Sequence, residues 1–259
     1  MKRKIILFGN IPLATKILML LLSHVNADVK GVVCEKKSVT YNYHYFVEPC
    51  VYDYATERNI PIFDLDELAN TFSERELFLG FSGRYPKILN KNILNLFSKG
   101  VINCHGGPLP KYRGVNISNH VILNNESRST GTLHYMREGI DTGPIIGRMW
   151  FPIEPDDTAY NVFCKTQQSL WDLIQDNIDS ILEDRDEGIE QELLITNGES
   201  VGYYKKTDLD KYRKVKPDYP TDYLYRVARA FDFPEHEPAY FEHNGKKIYL
   251  TTTLRHGDQ

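Results

Sequence analysis

Asn103 and His105 stand two residues apart at the end of a short apolar run, Val101-Ile102, and Gly106, Gly107, Pro108 and Pro110 follow them directly. Residues two apart on a strand project from the same face, so the spacing predicts an amide and an imidazole side by side, with a stiff loop beyond. Thirty-six positions after His105, Asp141 sits inside Arg137-Glu-Gly-Ile-Asp-Thr-Gly-Pro144, a turn-rich loop. A neutral imidazole can take a proton near pH 7. A carboxylate can fix its tautomer and steady its charged form. An amide N–H can donate to an oxygen that is becoming negative, and such a donor is worth roughly 3 kcal/mol of barrier. Together the three fit acyl-type transfer to an amine. Each alone is an ordinary residue, since an Asp before Thr-Gly-Pro is a common turn former. No Ser or Cys is placed as a covalent nucleophile: Cys104, between Asn103 and His105, points to the opposite face and into core. Cys104-His105 as a metal pair lacks partner ligands at metal-site spacing, and the chemistry requires no metal.

The elements that must position these groups read as an α/β fold. Lys4 to Phe8 is a continuous apolar run ending at Gly9, the pattern of a buried parallel strand. Pro12 opens a helix carrying Ala14, Ile17, Leu18, Leu21 and Leu22 at helical spacing. Val29 to Cys34 is a second strand, which completes a βαβ unit and implies a parallel sheet covered by helices. The turn Gly9-Asn10-Ile11-Pro12 lacks the G-x-G-x-x-G fingerprint of nicotinamide dinucleotide sites, although such a turn before a helix can hold a phosphate. Lys36 to Pro49, with Tyr41, Tyr43, Tyr45 and Phe46, reads as an irregular excursion. A helix over 51–58, a short strand over 60–63 and a helix over 65–72 follow. Leu77 to Phe81 is a strand, Ile88 to Phe97 a helix capped by Gly100, and Val101 to His105 the next strand. Ligands of open α/β sheets sit beyond the carboxyl ends of strands. Asn10, Ser82 to Tyr85, and Asn103 to His105 should therefore share one crevice.

A helix over 115–123, a strand over 130–136 and a strand over 145–151 place Asp141 at the tip of a hairpin-like excursion. Thr158 caps a long amphipathic helix to Glu183. Character changes after Arg185, where segments shorten and Tyr and Lys become frequent. We divide the chain into a catalytic domain over 1–187 and a C-terminal α+β segment over 188–259. The segment holds a helix over 222–231 and a hairpin, Ala239 to Phe241 with Lys247 to Thr253, turned at Asn244-Gly245.

With 259 residues, 41% hydrophobic and 25% charged, the chain has the balance of a soluble globular protein. Its formal net charge of -4 leaves no footprint for nucleic acid. No apolar run reaches the roughly 20 residues that span a bilayer, and no signal peptide is read in Met1 to Asn10. The four cysteines form no CxxC pair or framework spacing, which fits free thiols and a cytoplasmic protein.

Asn-Cys-His-Gly-Gly-Pro-Leu-Pro-Lys-Tyr-Arg-Gly (103–114), followed by Gly-Ile-Asp-Thr-Gly-Pro-Ile-Ile (139–146), closely resembles the formyltransferases that use 10-formyltetrahydrofolate. Their shared pattern is N-x-H-x-S/G-x-L-P-x-Y-R-G with a downstream D-T-G, and the order of elements to about residue 185 agrees with their Rossmann-like, parallel-sheet domain. The resemblance implies that Asn103, His105 and Asp141 are the catalytic trio. It also implies that the folate lies against Phe81, Ser82, Gly83 and Tyr85 and against the loop with Met136, Gly139 and Ile140. Gly107 departs from the Ser of many members, which removes a hydroxyl and leaves the backbone donor.

Among these families, those acting on initiator methionyl-tRNA carry a larger, basic C-terminal domain. Glycinamide ribonucleotide enzymes usually begin with a longer Gly-rich turn, and formyltetrahydrofolate hydrolases add a regulatory domain before the catalytic one. The chain is most similar to the sugar N-formyltransferases, which implies a nucleotide-linked amino sugar as acceptor and a homodimer formed through the C-terminal hairpin. The best single expectation is dTDP-4-amino-4,6-dideoxyglucose, on the way to a surface polysaccharide such as O-antigen. A 3-amino isomer or a GDP-linked sugar is the alternative, and a non-enzymatic folate- or nucleotide-binding module is the rival of another class. Tyr223, Phe231 or Phe233 could stack on the base; Asn10, Arg84 and Lys205 could reach the phosphates; Gly106 and Gly107 would let the acceptor approach.

Overall fold

The computed structural model describes residues 2–42 and 45–252; Tyr43 of the expected excursion and Thr253 of the expected hairpin lie outside the described residues. The first half alternates strands and helices: β1 (Arg3–Phe8), α1 (Pro12–Ser23), β2 (Ala27–Val33), α2 (Val51–Glu57), β3 (Ile62–Phe63), α3 (Leu65–Thr71), β4 (Leu77–Ser82), α4 (Lys91–Leu94) and β5 (Phe97–His105). Then come β6 (Arg113–Gly114), α5 (Ile117–Leu123), β7 (Arg128–Tyr135), β8 (Ile145–Pro152) and α6 (Ala159–Leu182). The last part holds α7 (Gln191–Thr196), β9 (Tyr203–Tyr204), a 3-10 turn (Lys206–Leu209), α8 (Asp210–Arg213), α9 (Thr221–Phe231), β10 (Ala239–His243) and β11 (Lys246–Leu250).

Seven strands form the main sheet in the order β3-β2-β1-β4-β5-β7-β8. The β1, β2, β3, β4 and β5 neighbours pair in parallel, as the βαβ pattern predicts. The parallel expectation holds only that far, because β7 runs antiparallel to both β5 and β8. The loop that follows β5 reaches β7 through a short helix that never crosses the sheet as a βαβ helix would.

One face of the sheet is closed by α1 and α6 around Leu7, Leu18, Phe81, Ile102, Cys104 and Leu170. On the other, Ile6, Phe8, Leu68, Ile93 and Val101 close under α3 and α4. Cys104 thus lies in core, as its parity with Asn103 and His105 requires. Thr158 caps α6 with a reciprocal capping box to Asn161, and Asp64 does the same for α3. The expected helix over 88–97 shrinks to the single turn of α4, and Phe97 already belongs to β5. Gly100 is not a helix cap. It sits inside β5 at φ 102°, where the register with β4 slips between Leu77 and Leu79.

A third apolar cluster joins the two parts of the chain. Tyr112, Ile117, Val121 and Val162 pack with Leu209, Val227, Ala230, Phe231 and Ala239. The hairpin β10/β11 turns at Asn244 (φ 48°) and Gly245 (φ 74°), both left-handed, as a two-residue type I′ turn requires. β9 returns to pair with β6, placing Tyr203 beside Arg113 and Tyr204 beside Gly114.

Candidate active site

Asn103 pairs with Ser82 on β4 and with His134 on β7, so three polar residues on one face meet at the carboxyl end of β4 and β5. Their hydrogen bonds are determined link by link. His134 Nδ1 lies 2.9 Å from the Tyr135 carbonyl, which can only accept, so the proton is on Nδ1 and Nε2 carries the lone pair. Asn103 Nδ2 donates to that lone pair at 3.2 Å, while Ser82 Oγ donates to Asn103 Oδ1 at 2.9 Å. The amide cannot be flipped without setting its oxygen against a lone pair. Its second N–H is left for another acceptor.

His105 is buried, 6% exposed, and its Nε2 donates to the Tyr112 carbonyl at 2.6 Å. Neutral His105 therefore has its basic lone pair on Nδ1, which faces Asp141 Oδ2 at 3.4 Å. Burial pushes the His105 pKa below 6.5, and the Asp141 charge only partly offsets it. Asp141 is held in the anionic form: burial alone would raise its pKa, but the pull of His105 and His134 in their protonated forms and the Gly114 N–H outweigh this and bring it well below the usual carboxylate range. The Gly114 amide donates to Oδ2 at 2.8 Å, and His134 Nε2 lies 3.6 Å from Oδ1. Three non-glycine residues here occupy the left-handed region, Asp141 at φ 54°, Arg84 at φ 61° and Asn116 at φ 59°. Each costs on the order of 1 kcal/mol or more, and such strain collects at functional sites.

Beyond the trio opens a cleft of about 410 Å³, lined among others by Arg84, Phe163, Lys206, Arg213, Phe231 and Phe233. The trio does not line it. Arg84 connects the two, since a Cβ on Gly106 would come within 3.8 Å of its guanidinium, and the guanidinium lies over the Phe163 ring at 5.2 Å. Among the described residues Arg84 makes no hydrogen bond or ion pair. Phe163 and Phe233 meet edge to face at 5.3 Å, and His236 packs on Phe233 at 5.2 Å. The cleft has an aromatic wall and a charged lining in which Arg84, Lys206 and Arg213 stand with Asp210 and Glu237.

The expected residues divide accordingly. Phe231 and Arg84 line the cleft. Lys205 does not: it is exposed, with its N–H on Asp208, and Lys206 takes the place one residue on. Tyr223 does not line the cleft: it packs on the apolar face of α9 beside Val227, Ala230 and Phe231, with Tyr219 and Arg226 against its ring. Asn10 is also absent from the cleft; its Oδ1 accepts from the Glu35 N–H at 2.8 Å, tying the β1 turn to the end of β2. On the expected folate side, Phe81 is sealed in core and offers only backbone. Ser82 serves Asn103, and Gly83 donates to the Phe8 carbonyl at 2.8 Å. Tyr85 and Met136 border the other core face, and Ile140 is exposed. Lys91 and Glu138 approach to 3.7 Å, which brings the segment after Tyr85 beside the loop after Met136.

Sequence reasoning missed His134, the Gly114 amide and Gln191. His134 was findable: it shares strand parity with Thr130 and Thr132 on a strand next to Asn103. Gln191 Nε2 donates to the carbonyls of Asp141 and Gly143, each at 2.8 Å, from a short helix fifty residues away in the chain, and no local pattern announces it.

Comparison with known proteins adds an independent line. A family model described as formyl transferase matches residues 2–170. Methionyl-tRNA formyltransferase of Lysinibacillus sphaericus (strain C3-41) is 29% identical over 182 residues, 68% of this chain and 58% of that protein. The chain thus spans less than two thirds of that curated relative. Among solved structures, an N-formyltransferase from Helicobacter canadensis, in complex with folinic acid and dTDP-3-aminofucose, superposes with a TM-score of 0.75 at 26% identity, covering 96% of this chain and 86% of that one. A 4-N formyltransferase from Francisella tularensis superposes at 0.75 over 96% of both chains, with 20% identity, a likeness of fold.

Proposed function

Because the chain belongs to the formyl transferase family, we propose that it transfers a formyl group from 10-formyltetrahydrofolate to the amine of a nucleotide-linked aminodideoxy sugar. The observation that carries this reading is the junction at Arg84. A guanidinium with no hydrogen bond or ion pair among the described residues and an aromatic-walled cleft suit a nucleoside diphosphate, and Arg84 links that cleft, past Gly106, to a base and an amide donor suited to acyl transfer. The chain's likeness to the Helicobacter enzyme over 96% of its length supports the same acceptor class.

The donor supplies the formyl group as an amide on a folate nitrogen. Tyr85, Met136, Gly139 and Ile140, with the backbone of 82–83, would hold it. His105 Nδ1 takes a proton from the acceptor amine as its nitrogen bonds to the formyl carbon. The remaining Asn103 N–H meets the negative charge growing on the formyl oxygen. Asp141 holds the charged imidazole, and the proton returns to the folate nitrogen as its bond to carbon breaks. His134 and Ser82 keep the Asn103 amide in place.

Our preferred acceptor is dTDP-4-amino-4,6-dideoxyglucose, on a route to a surface polysaccharide such as O-antigen. The second reading is a dTDP-3-amino sugar, favoured by the two similar structures at 26% identity, one holding dTDP-3-aminofucose and the other a sugar 3N-formyl transferase with dTDP. Exposed Ile248 and Tyr249 on β11 support self-association through the hairpin. The deciding experiment follows tetrahydrofolate release with 10-formyltetrahydrofolate and each of three acceptors: dTDP-4-amino, dTDP-3-amino and GDP-4-amino sugars. Turnover with the 4-amino dTDP sugar alone bears out the preferred reading. Turnover with none of them removes the sugar-transferase reading.

A further inference from the structure

We propose that Gln191, anchored by Arg113, is a positioning residue that holds the Asp141 carboxylate against His105. This rests on the formyl-transfer reading for its kinetic consequence, though not for its geometry. Gln191 is fully buried, 0% exposed, and uses its whole hydrogen-bonding capacity. Both amide hydrogens go to the Asp141 loop, to the carbonyls of Asp141 and Gly143 at 2.8 Å each. Both lone pairs of Oε1 accept from Arg113, from Nε at 3.1 Å and Nη2 at 2.7 Å. A buried primary amide with four hydrogen bonds is saturated.

What it joins gives it meaning. Arg113 is followed by Gly114, whose N–H donates to Asp141 Oδ2. The one amide therefore ties the segment that supplies this donor to the loop that supplies the carboxylate. Asp141 needs such a tie, because its backbone is left-handed at φ 54° and that conformation persists only where the surroundings impose it. Neighbouring Gly143 admits no Cβ, since one would lie 1.9 Å from the Tyr135 carbonyl oxygen, so the loop has a single packing against β7. Gln191 opens α7, beyond the 187/188 division, and makes the trio depend on the C-terminal segment.

The test compares Gln191→Met, which keeps the shape and removes all four bonds, with Asp141→Asn. The titratable and charged groups facing His105 are Asp141, His134 and Arg84. Of these three only Asp141 raises the His105 pKa, alongside the hydrogen bond to the Tyr112 carbonyl; losing the carboxylate's alignment lets that pKa fall. In ¹⁵N imidazole titrations, the His105 midpoint should drop in Gln191→Met in the same direction as in Asp141→Asn. In kinetics, kcat should fall on the order of 100-fold, the scale of about 1 Å of misplacement, with the acceptor KM within a few-fold. The double variant should lose no more than Asp141→Asn alone. If Gln191→Met fails to fold, Arg113→Met, which removes the anchor and leaves the donors, should move the midpoint the same way by less. An unchanged His105 midpoint in a folded variant overturns the proposal. A wild type inactive on every acceptor overturns only the formyl-transfer reading, since the titration needs no turnover.

Discussion

Asn103 donates one amide hydrogen to His134 Nε2 at 3.2 Å, and the His134 proton is already committed to the Tyr135 carbonyl. The amide's orientation is thus decided by an imidazole that never touches the reacting atoms. Removing the donor itself, Asn103→Ala, should lower kcat by about 10²–10³, the usual loss for an oxyanion donor. Removing its supports, His134→Phe or Ser82→Ala, should cost on the order of tenfold each, because the amide is present but free to turn. Steady-state kinetics at saturating donor and acceptor reads both. A His134→Phe enzyme at wild-type kcat would show that the support is dispensable.

Proton transfer has a pH signature. His105 must be neutral to accept a proton, and burial sets its pKa below 6.5. Activity should therefore rise with pH along a limb whose midpoint lies below 6.5 and stay flat through pH 7. Asp141→Asn removes the one charge that raises the His105 pKa, so the limb should move to still lower pH while kcat drops by about 10²–10⁴. A limb centred above 6.5 would mean that the titrating base is another group.

Much of this arrangement was legible in the residues. Period-two parity placed Asn103 and His105 on one face and Cys104 in core, and the apolar runs gave the parallel half of the sheet. What escaped is long-range. The antiparallel turn-back of β7 depends on where the loop after β5 lands, and Gln191 acts on the trio from a distance no local pattern spans. Lys206 replaced the expected Lys205 for a related reason. The 3-10 turn that begins at Lys206 sets which lysine faces the cleft, and single-residue phase in short turns is not written in composition.

The fold itself should carry an acid sensitivity outside the active site. His120 on α5 is buried against Tyr204 at 4.4 Å, and burial pushes its pKa from 6.5 down to about 4. The unfolded chain binds this proton first, so stability falls as pH drops from 6.5 toward 4 and is fully present above 6.5. His105, also depressed, adds in the same direction. The melting temperature should fall steadily across that window, and His120→Phe should flatten the fall. An equal slope in the variant would assign the acid loss to other groups.

Arg84 offers the cleft a guanidinium with no hydrogen bond or ion pair among the described residues, stacked over Phe163. Arg84→Met should raise the acceptor KM by about 10–100-fold, the worth of one or two charge-assisted hydrogen bonds, and leave the donor KM near its wild-type value. Calorimetric titration with dTDP should show the same loss, while the variant melts close to the wild type because the guanidinium makes no hydrogen bond or ion pair among the described residues that the substitution would break. A donor KM that rises with it would place Arg84 on the folate side.

Gly107 occupies the Ser/Gly position of the motif that carries the resemblance, and the packing here leaves no room for a side chain. A Cβ at this position would lie 2.4 Å from Ile117 Cγ2 and 3.4 Å from Tyr112 Cβ. Thr132 Oγ1 also donates to the Gly107 carbonyl at 2.7 Å, so the backbone cannot simply move away. Gly107→Ser should therefore destabilise by about 1–3 kcal/mol, the range for overpacking a filled site, and lower kcat by tilting the strand end that carries His105. Ile117→Ala removes the offending methyl, at its own cost as a cavity. The double variant should then melt higher than the sum of the two single losses predicts. Additive losses in thermal denaturation would mean that the clash with Ile117 is not what excludes the side chain.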